Sequence, residues 1–400
     1  MRFFGKLYCR AFQGLFRLAQ PFLPYREPQL LEGIEQVGEA LKRENIKSVL
    51  IVTGSFLSKS GATKKLESVI EKVGIKYSVY NKTLPNPTVS NVEEALEAYL
   101  RNGCEGIVAM GGGSAIDCAK VVGARVAYPT KTVNQLKGLL KVRRKIPTLV
   151  AIPTTAGTGS EVTLAAVITD ENKDKYPISS FALIPHFAVL DPTVTYTMMP
   201  HLTATTGMDA LTHAVEAYIG GSTTKETRKL ATSAVKLIFE NIELAYKDGE
   251  NRQARENMLN ASYMAGIAFS KSYVGYIHAV AHSIGGKYNI PHGLANAVLM
   301  PCVLELYGRK AYKKLHSLGV LVGACWAEDT KEVGARKFIQ AIKDLNKRMN
   351  IPVAFEEIME KDIPLLAKKA AKEANPLYPV PRLMNKKELE EIYRRAMLQS

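Results

Sequence analysis

The chain lacks any paired-cysteine motif. Its five cysteines, Cys9, Cys104, Cys118, Cys302 and Cys325, are scattered along 400 residues. That excludes a disulfide framework and a thiolate metal cage, and it fits a reducing, cytoplasmic setting. No apolar run reaches the roughly 20 residues that a bilayer-spanning helix needs. No apolar leader runs into a small-residue cleavage site, so secretion is not expected. There is neither a Walker sequence nor the GxGxxG of the common dinucleotide fold. Acid is in short supply: 53 Lys and Arg stand against 38 Asp and Glu, for a net charge of +15. Such a charge attracts anions without choosing among them. No nucleic-acid motif or aromatic platform for bases accompanies it, so no nucleic-acid partner is expected. One acid-free cluster, Lys131, Lys137, Lys141, Arg143, Arg144 and Lys145, reads as a solvated surface loop.

What is present begins with a stripe. In MRFFGKLYCRAFQGLFRLAQPFLP, apolar residues recur at helical spacing, and Arg2, Lys6, Arg10 and Arg17 fall away from them. A basic amphipathic helix of this kind packs on its own protein or a twin subunit, or lies on an anionic membrane. Packing is the favoured expectation for residues 1–24, with membrane contact second.

From about residue 46 to 195, apolar strand-like runs alternate with helical patterns. SVLIVTG, KYSVYN, EGIVAMGGG, TLVAIP and FAVLDP read as strands, and KKLESVIEKVG, VEEALEAYLRNG and SAIDCAKVVGARVA as helices. Alternation of this sort implies a parallel sheet covered by helices. After Pro200 only long helical periodicities remain. The expected organisation is therefore an N-terminal extension over residues 1–27, a Rossmann-like α/β nucleotide-binding domain over 28–198, and an all-α helical domain over 199–400.

Two loops could hold an anion. GGGSAIDCAK, residues 111–120, follows a strand and opens a helix, so it presents backbone N–H groups and the positive helix end. PTTAGTGSEVT, residues 153–163, carries Thr154, Thr155, Thr158 and Ser160, which could donate to phosphate, ribose or base; alternatively Thr158 or Ser160 caps a helix. Both loops follow strands, and in open α/β sheets the carboxyl edge binds ligand.

Imidazole is concentrated elsewhere. Three of the seven histidines, His278, His282 and His292, fall in one short window. Asp209 and His213 share a helix face, as do His278 and His282, and His292 sits at a Pro–His–Gly turn. Such groups could converge on a first-row divalent cation, or form hydrogen-bonded core pairs. His186, His201 and His316 have no such company and read as structural or exposed.

These residues carry a family resemblance. LPNPT (84–88), GGGSAID (111–117), PTTAGTGSEVT (153–163), GMDALTHAVEAY (207–218) and HAVAH…PHGLANA (278–297) make the chain resemble the iron-dependent, group III, alcohol dehydrogenases from about residue 28 onward. That family is related in architecture to glycerol dehydrogenase and dehydroquinate synthase. The resemblance implies that Asp209, His213, His278 and His292 ligate one divalent metal, iron(II) or, in some members, zinc. It implies that His282 stays off the metal near nicotinamide and substrate, where it is our candidate proton relay. It further implies that Gly111, Gly112, Gly113, Ser114 and Asp117 form the pyrophosphate turn, that Asn86, Thr154, Thr155, Thr158 and Lys175 make other cofactor contacts, and that Phe269 walls the substrate pocket. The expected activity is interconversion of an alcohol and its aldehyde or ketone by hydride transfer to and from NAD(P)(H), in a homodimer. A dehydroquinate synthase-like lyase and a non-catalytic metal or nucleotide sensor are the alternatives.

Two departures matter. Where the family commonly reads IVTD after its first strand, this chain reads IVTGSF. The missing acid at Gly54 and Ser55, with Lys59 nearby, favours NADP(H), because an acid there would bind the ribose hydroxyl and repel a 2′-phosphate. Where the family often reads FNNAGLGLVHA, this chain reads FSKSYVGYIHA. Lys271 and Tyr273 therefore alter what lines the pocket, and Lys271 is expected either to favour a polar substrate or to point to solvent.

Overall fold

The computed structural model describes residues 3–171 and 174–398; Arg2 of the N-terminal stripe lies outside them. The chain forms two compact units. One is Pro24–Met198; the other joins the segment ahead of Pro24 to everything from Met199 onward.

The first unit is built on a six-stranded parallel sheet. Its strands are β1 (Gln29–Leu31), β2 (Ser48–Val52), β3 (Lys76–Tyr80), β4 (Gly106–Gly111), β6 (Thr148–Pro153) and β9 (Phe187–Val189), in the order β1-β9-β6-β4-β2-β3. The inner strands β2, β4 and β6 are apolar runs because both faces are covered. Leu50, Val52, Ile107, Ala109, Leu149 and Ala151 face one core. Val49, Ile51, Val108, Met110, Val150 and Ile152 face the other. That is period-2 alternation with both phases apolar, as a sheet covered on two sides requires.

From β2 the chain adds β3 on one side and then crosses to β4 on the other. The sheet therefore has a topological switch point between β2 and β4, where open α/β sheets take their ligands. A second, three-stranded sheet joins β5 (Gly138–Leu139), β8 (Lys175–Ser179) and β7 (Ala165–Thr169), with β7 and β8 antiparallel. The sequence reading missed this sheet and β1. β1 has three residues and β5 two, and Pro177 sits inside β8, opposite Val167, where proline normally argues against a strand.

The second unit is helical. Among its described residues the only β pairing is an isolated bridge between Phe355 and Met397. Its central helix, Pro200–Ile219, is buried continuously from Gly207 to Ile219. A helix apolar or small on every side is a core helix. The helices Arg252–Ser272, Tyr276–Tyr288 and His292–Tyr307 follow in the same unit. The N-terminal helix, Phe3–Ala19, also belongs here: Arg10 Nη1 donates to the Val380 carbonyl at 2.8 Å and Gln13 Nε2 to that of Tyr378 at 2.7 Å.

Candidate metal centre and nucleotide-binding edge

The central helix carries Asp209, His213 and Glu216 at spacings of four and three, so all three leave it on neighbouring faces. His278 is the third residue of the helix Tyr276–Tyr288, and His292 is the first residue of its helix. Gly293 fixes that helix start close against the central helix, since a Cβ there would lie 2.4 Å from the Thr205 carbonyl oxygen. No side chain fits at that approach.

The result is a cluster. One ligand atom from each of Asp209, His213, His278 and His292 lies within 4.8 Å of all the others. Three of the four residues are buried and His292 is half-buried. His278 Nδ1 lies 2.7 Å from Glu216 Oε2. Glu216 also accepts from the backbone N–H of Gly275 at 2.7 Å and of Ile277 at 2.8 Å. A carboxylate on Nδ1 places the proton there and turns the Nε2 lone pair inward, as ligation demands. Burial pushes the Glu216 carboxyl up to about 7 against the pull of these donors. Burial, then the neighbouring imidazoles, holds His278 well below the ordinary histidine range, so it is neutral.

The fit to a cation is visible in Asn296. Its amide nitrogen is 2.6 Å from Asp209 Oδ1, 3.3 Å from His278 Nε2 and 3.2 Å from His292 Nε2. The positive end of an amide dipole thus sits where three acceptors converge. An oxygen and three imidazole nitrogens suit one first-row divalent ion.

His282 stands beside this cluster. Its ring stacks on His292 with centroids 5.0 Å apart. Its Nδ1 turns to Glu373 Oε1 at 2.6 Å, and Tyr378 Oη donates to the same oxygen at 2.8 Å. Phe269 stacks on His213 at 4.2 Å, while His278 stacks on that ring at 4.5 Å. Lys271 Nζ pairs with Glu226 Oε1 at 2.6 Å, so the ammonium is held by a carboxylate on a partly shielded site. Tyr273 occupies φ 63°, ψ 173°, a region that essentially only glycine visits. That explains the glycine in the family pattern at this point. Here the tyrosine packs against Phe16 of the N-terminal helix, with rings 4.9 Å apart.

In the α/β unit, β4 and β6 pair in register to their last residues, Gly111 opposite Pro153. The glycine turn and the hydroxyl loop therefore leave the sheet side by side. The helix Gly113–Ala127 starts on this edge. A Cβ on Gly113 would lie 2.7 Å from Thr158 Cγ2, so glycine lets the helix start abut the loop. Ser114 Oγ accepts from the Asn86 N–H at 3.3 Å, and Lys175 Nζ donates to Asn86 Oδ1 at 2.7 Å. Ser114, Asn86 and Lys175 are thus joined at one place. Gly54 and Ser55 follow β2, beside β4 at the switch point, and Ser55 opens a short helix with its side chain exposed. Thr154 is buried; Thr155 and Thr158 are half-buried.

Asp117 has an internal task. Its Oδ1 accepts from Ser160 Oγ at 2.6 Å and its Oδ2 from the Val167 N–H at 2.9 Å. Ser160 therefore caps no helix; it braces the hydroxyl loop, and Thr158 Oγ1 accepts from the Ser160 N–H at 3.2 Å. Lys120, fully buried, donates to Thr163 O, Thr163 Oγ1 and Ala165 O at 2.8, 3.0 and 2.8 Å. The remaining histidines are elsewhere: His186 Nδ1 accepts from the Leu149 N–H, His201 is exposed and His316 is buried.

Glu216, Asn296 and Glu373 were not singled out from sequence. Two had a signal: Glu216 is three after His213, and Asn296 is four after His292. Glu373 had none, being 91 residues from His282.

A sheet with a glycine turn at its switch point and a helical unit with an Asp–His cluster together define a nucleotide-using, metal-dependent protein. Comparison with known proteins makes this specific. Residues 31–192 match the model of the iron-containing alcohol dehydrogenases, and residues 203–397 that of the C-terminal part of the Fe-containing alcohol dehydrogenase family. The chain is 38% identical to the 1,3-propanediol dehydrogenase of Klebsiella pneumoniae over 91% of this chain and 95% of that one. It is 36% identical to the NAD-dependent methanol dehydrogenase of Bacillus methanolicus over 84% and 89%. The crystal structure of a 1,3-propanediol oxidoreductase superposes with a TM-score of 0.90 at 36% identity, covering 93% of this chain and 99% of that one. The chain belongs to the iron-containing alcohol dehydrogenase family and is a metal-dependent oxidoreductase of alcohols and aldehydes.

Proposed function

We propose that this chain interconverts a small alcohol and its aldehyde with iron(II) held by Asp209, His213, His278 and His292, and with NADP(H) preferred over NAD(H). The observation that carries the reading is the convergence of those four ligand atoms within 4.8 Å around the Asn296 amide. When bound, the metal would supply Lewis acidity at the alcohol or carbonyl oxygen, and the nicotinamide would supply or accept the hydride.

The chain's own residues do the rest. Glu216 fixes the tautomer of His278, and Phe269 holds the His213 ring from its far face. His282 is the proton carrier: its Nδ1 meets the Glu373 carboxylate at 2.6 Å, which supports the imidazolium formed when the ring takes up a proton. Both His282 and Glu373 are partly exposed, at 26% and 32% of their side chains, which opens a path to solvent. Gly111–Ser114 with Thr154, Thr155 and Thr158 would receive the pyrophosphate, and Asn86 and Lys175 the rest of the cofactor. The NADP(H) preference rests on Gly54 and Ser55, which put no carboxylate after β2. Five free cysteines fit a cytoplasmic enzyme. Relatives named for methanol and 1,3-propanediol support a short-chain alcohol as substrate.

The test is NAD(P)H oxidation with a panel of aldehydes, without oxygen and with added iron(II). Turnover that depends on the metal and is faster with NADPH supports the proposal. Metal-loaded protein that turns over no aldehyde would move the reading to a sensor, and a higher kcat/KM with NADH would remove the NADP(H) preference.

A further inference from the structure

The family match begins at residue 31, so the helix Phe3–Ala19 lies outside the matched segment. It has two unlike faces. One is docked: Cys9 is buried, Phe16 packs on Tyr273, and Arg10, Gln13 and Gln20 donate to the carbonyls of Val380, Tyr378 and Lys271. These ties hold the helix as a fixed strip. The other face is apolar and open to solvent. Phe4, Leu7, Tyr8, Leu15 and Leu18, followed by Phe22 in the next turn, are all exposed, Phe4 by 81% and Phe22 by 87%. Scattered exposed apolar residues are ordinary; a contiguous stripe of large ones marks an interaction surface.

Charge says what kind. From residue 3 to Arg26 there is no acid, while Lys6, Arg10, Arg17 and Arg26 are basic. Lys6 and Arg17 are exposed. Arg17 and Arg228 both bear electrostatically on Lys314, so further cations stand near the helix. Lys6 and Arg17 are each next in sequence to a stripe residue, Leu7 and Leu18, so their charge stands beside the apolar face, well within the Debye length of about 8 Å in a cell. Two copies pairing through this helix would bring like charges together, whereas an anionic surface would be attracted by them. No described helix is long and apolar enough to cross a membrane, so the fitting mode is to lie on the surface.

We propose that the helix Phe3–Ala19 docks the protein onto anionic lipid bilayers, with the Phe4–Phe22 stripe seated at headgroup level and the flanking cations holding it there. The test is co-sedimentation of the full-length chain with vesicles of phosphatidylcholine alone, or with about one third phosphatidylglycerol. Binding to the anionic vesicles should be at least about tenfold stronger and should weaken with salt. Leu15→Glu with Leu18→Glu should lower it about tenfold, with melting temperature and metal content unchanged. Lys6→Glu with Arg17→Glu, which leaves the stripe intact, should lower it as well. Equal binding to both vesicle types, no binding to either, or binding unaffected by both pairs overturns the proposal. So does a dimer, measured by light scattering, that Leu15→Glu with Leu18→Glu dissolves while vesicles stay unbound.

Discussion

The two units bury polar groups to opposite ends. In the helical unit, Asp209, His213, His278 and His292 aim their ligand atoms at one another, with Asn296 among them. In the α/β unit, Asp117 and Lys120 aim at backbone and hydroxyl groups of the loop beside them. The first arrangement gathers acceptors that need a cation; the second satisfies each group within the protein. The difference separates acceptors that converge on one point from groups already satisfied inside the protein.

Several substitutions would break or sharpen that contrast. The largest effect belongs to the gathered cluster. Asp209→Ala should lose the metal and lower kcat/KM by about three orders of magnitude, the several kcal/mol that a Lewis acid contributes, read by metal analysis alongside anaerobic kinetics. Glu216→Gln keeps the ligands and removes the carboxylate that turns His278. Metal affinity should fall about 10- to 100-fold, measured by competition with a chelator, and adding excess metal should restore most of the rate.

On the other side, Lys120→Met should leave metal content unchanged and cost about 3 kcal/mol of stability, because it strands the buried acceptors of Thr163 and Ala165 and removes the cation that acts on Asp117 and Glu161. This loss has a pH signature. Burial lowers the Lys120 pKa from 10.5 to about 8, so between those values the unfolded chain binds the extra proton. Stability contributed by this group therefore rises with pH across that window. Urea melts at pH 8 and pH 10 should show the gap between native and Lys120→Met widening at the higher pH. A gap that narrows would mean the charged form is the one favoured.

The smallest effect tests the cofactor edge. Gly54 has an extended backbone, φ −91°, ψ 158°, and a Cβ there meets only the Thr83 carbonyl oxygen at 3.5 Å. Gly54→Asp should therefore fold normally and shift the ratio of kcat/KM for NADPH over NADH about tenfold toward NADH, a change of about 1.4 kcal/mol.

What was legible in the sequence follows the same division. The inner parallel strands β2, β4 and β6 were readable because their two-sided burial leaves apolar runs, whereas the parallel edge strand β1, three residues long, was not. In the Asp–His cluster, helical spacing shows Asp209 and His213 on one face, whereas His278 and His292 join them only through the family pattern. The small sheet was not readable, since β5 has only two residues and β8 contains Pro177. Lys120 and Glu373 were not, since a buried lysine and a half-exposed glutamate look like surface charges until the fold brings Thr163 and His282 to them. Asp117 was read with the pyrophosphate turn by family pattern, and only three dimensions show both its oxygens engaged inside the protein. The N-terminal stripe was legible as amphipathic, but not that its docked side would be the narrower one.

The central claim is a division of labour among crowded histidines: His278 belongs to the metal, and His282, tied to Glu373, does not. Metal content of oxygen-free His278→Ala and His282→Ala, measured side by side, tests it most directly. The account predicts that the first loses its ion, whereas the second keeps about one per chain and loses rate by about 10²- to 10⁴-fold. Equal loss of metal from both would contradict it.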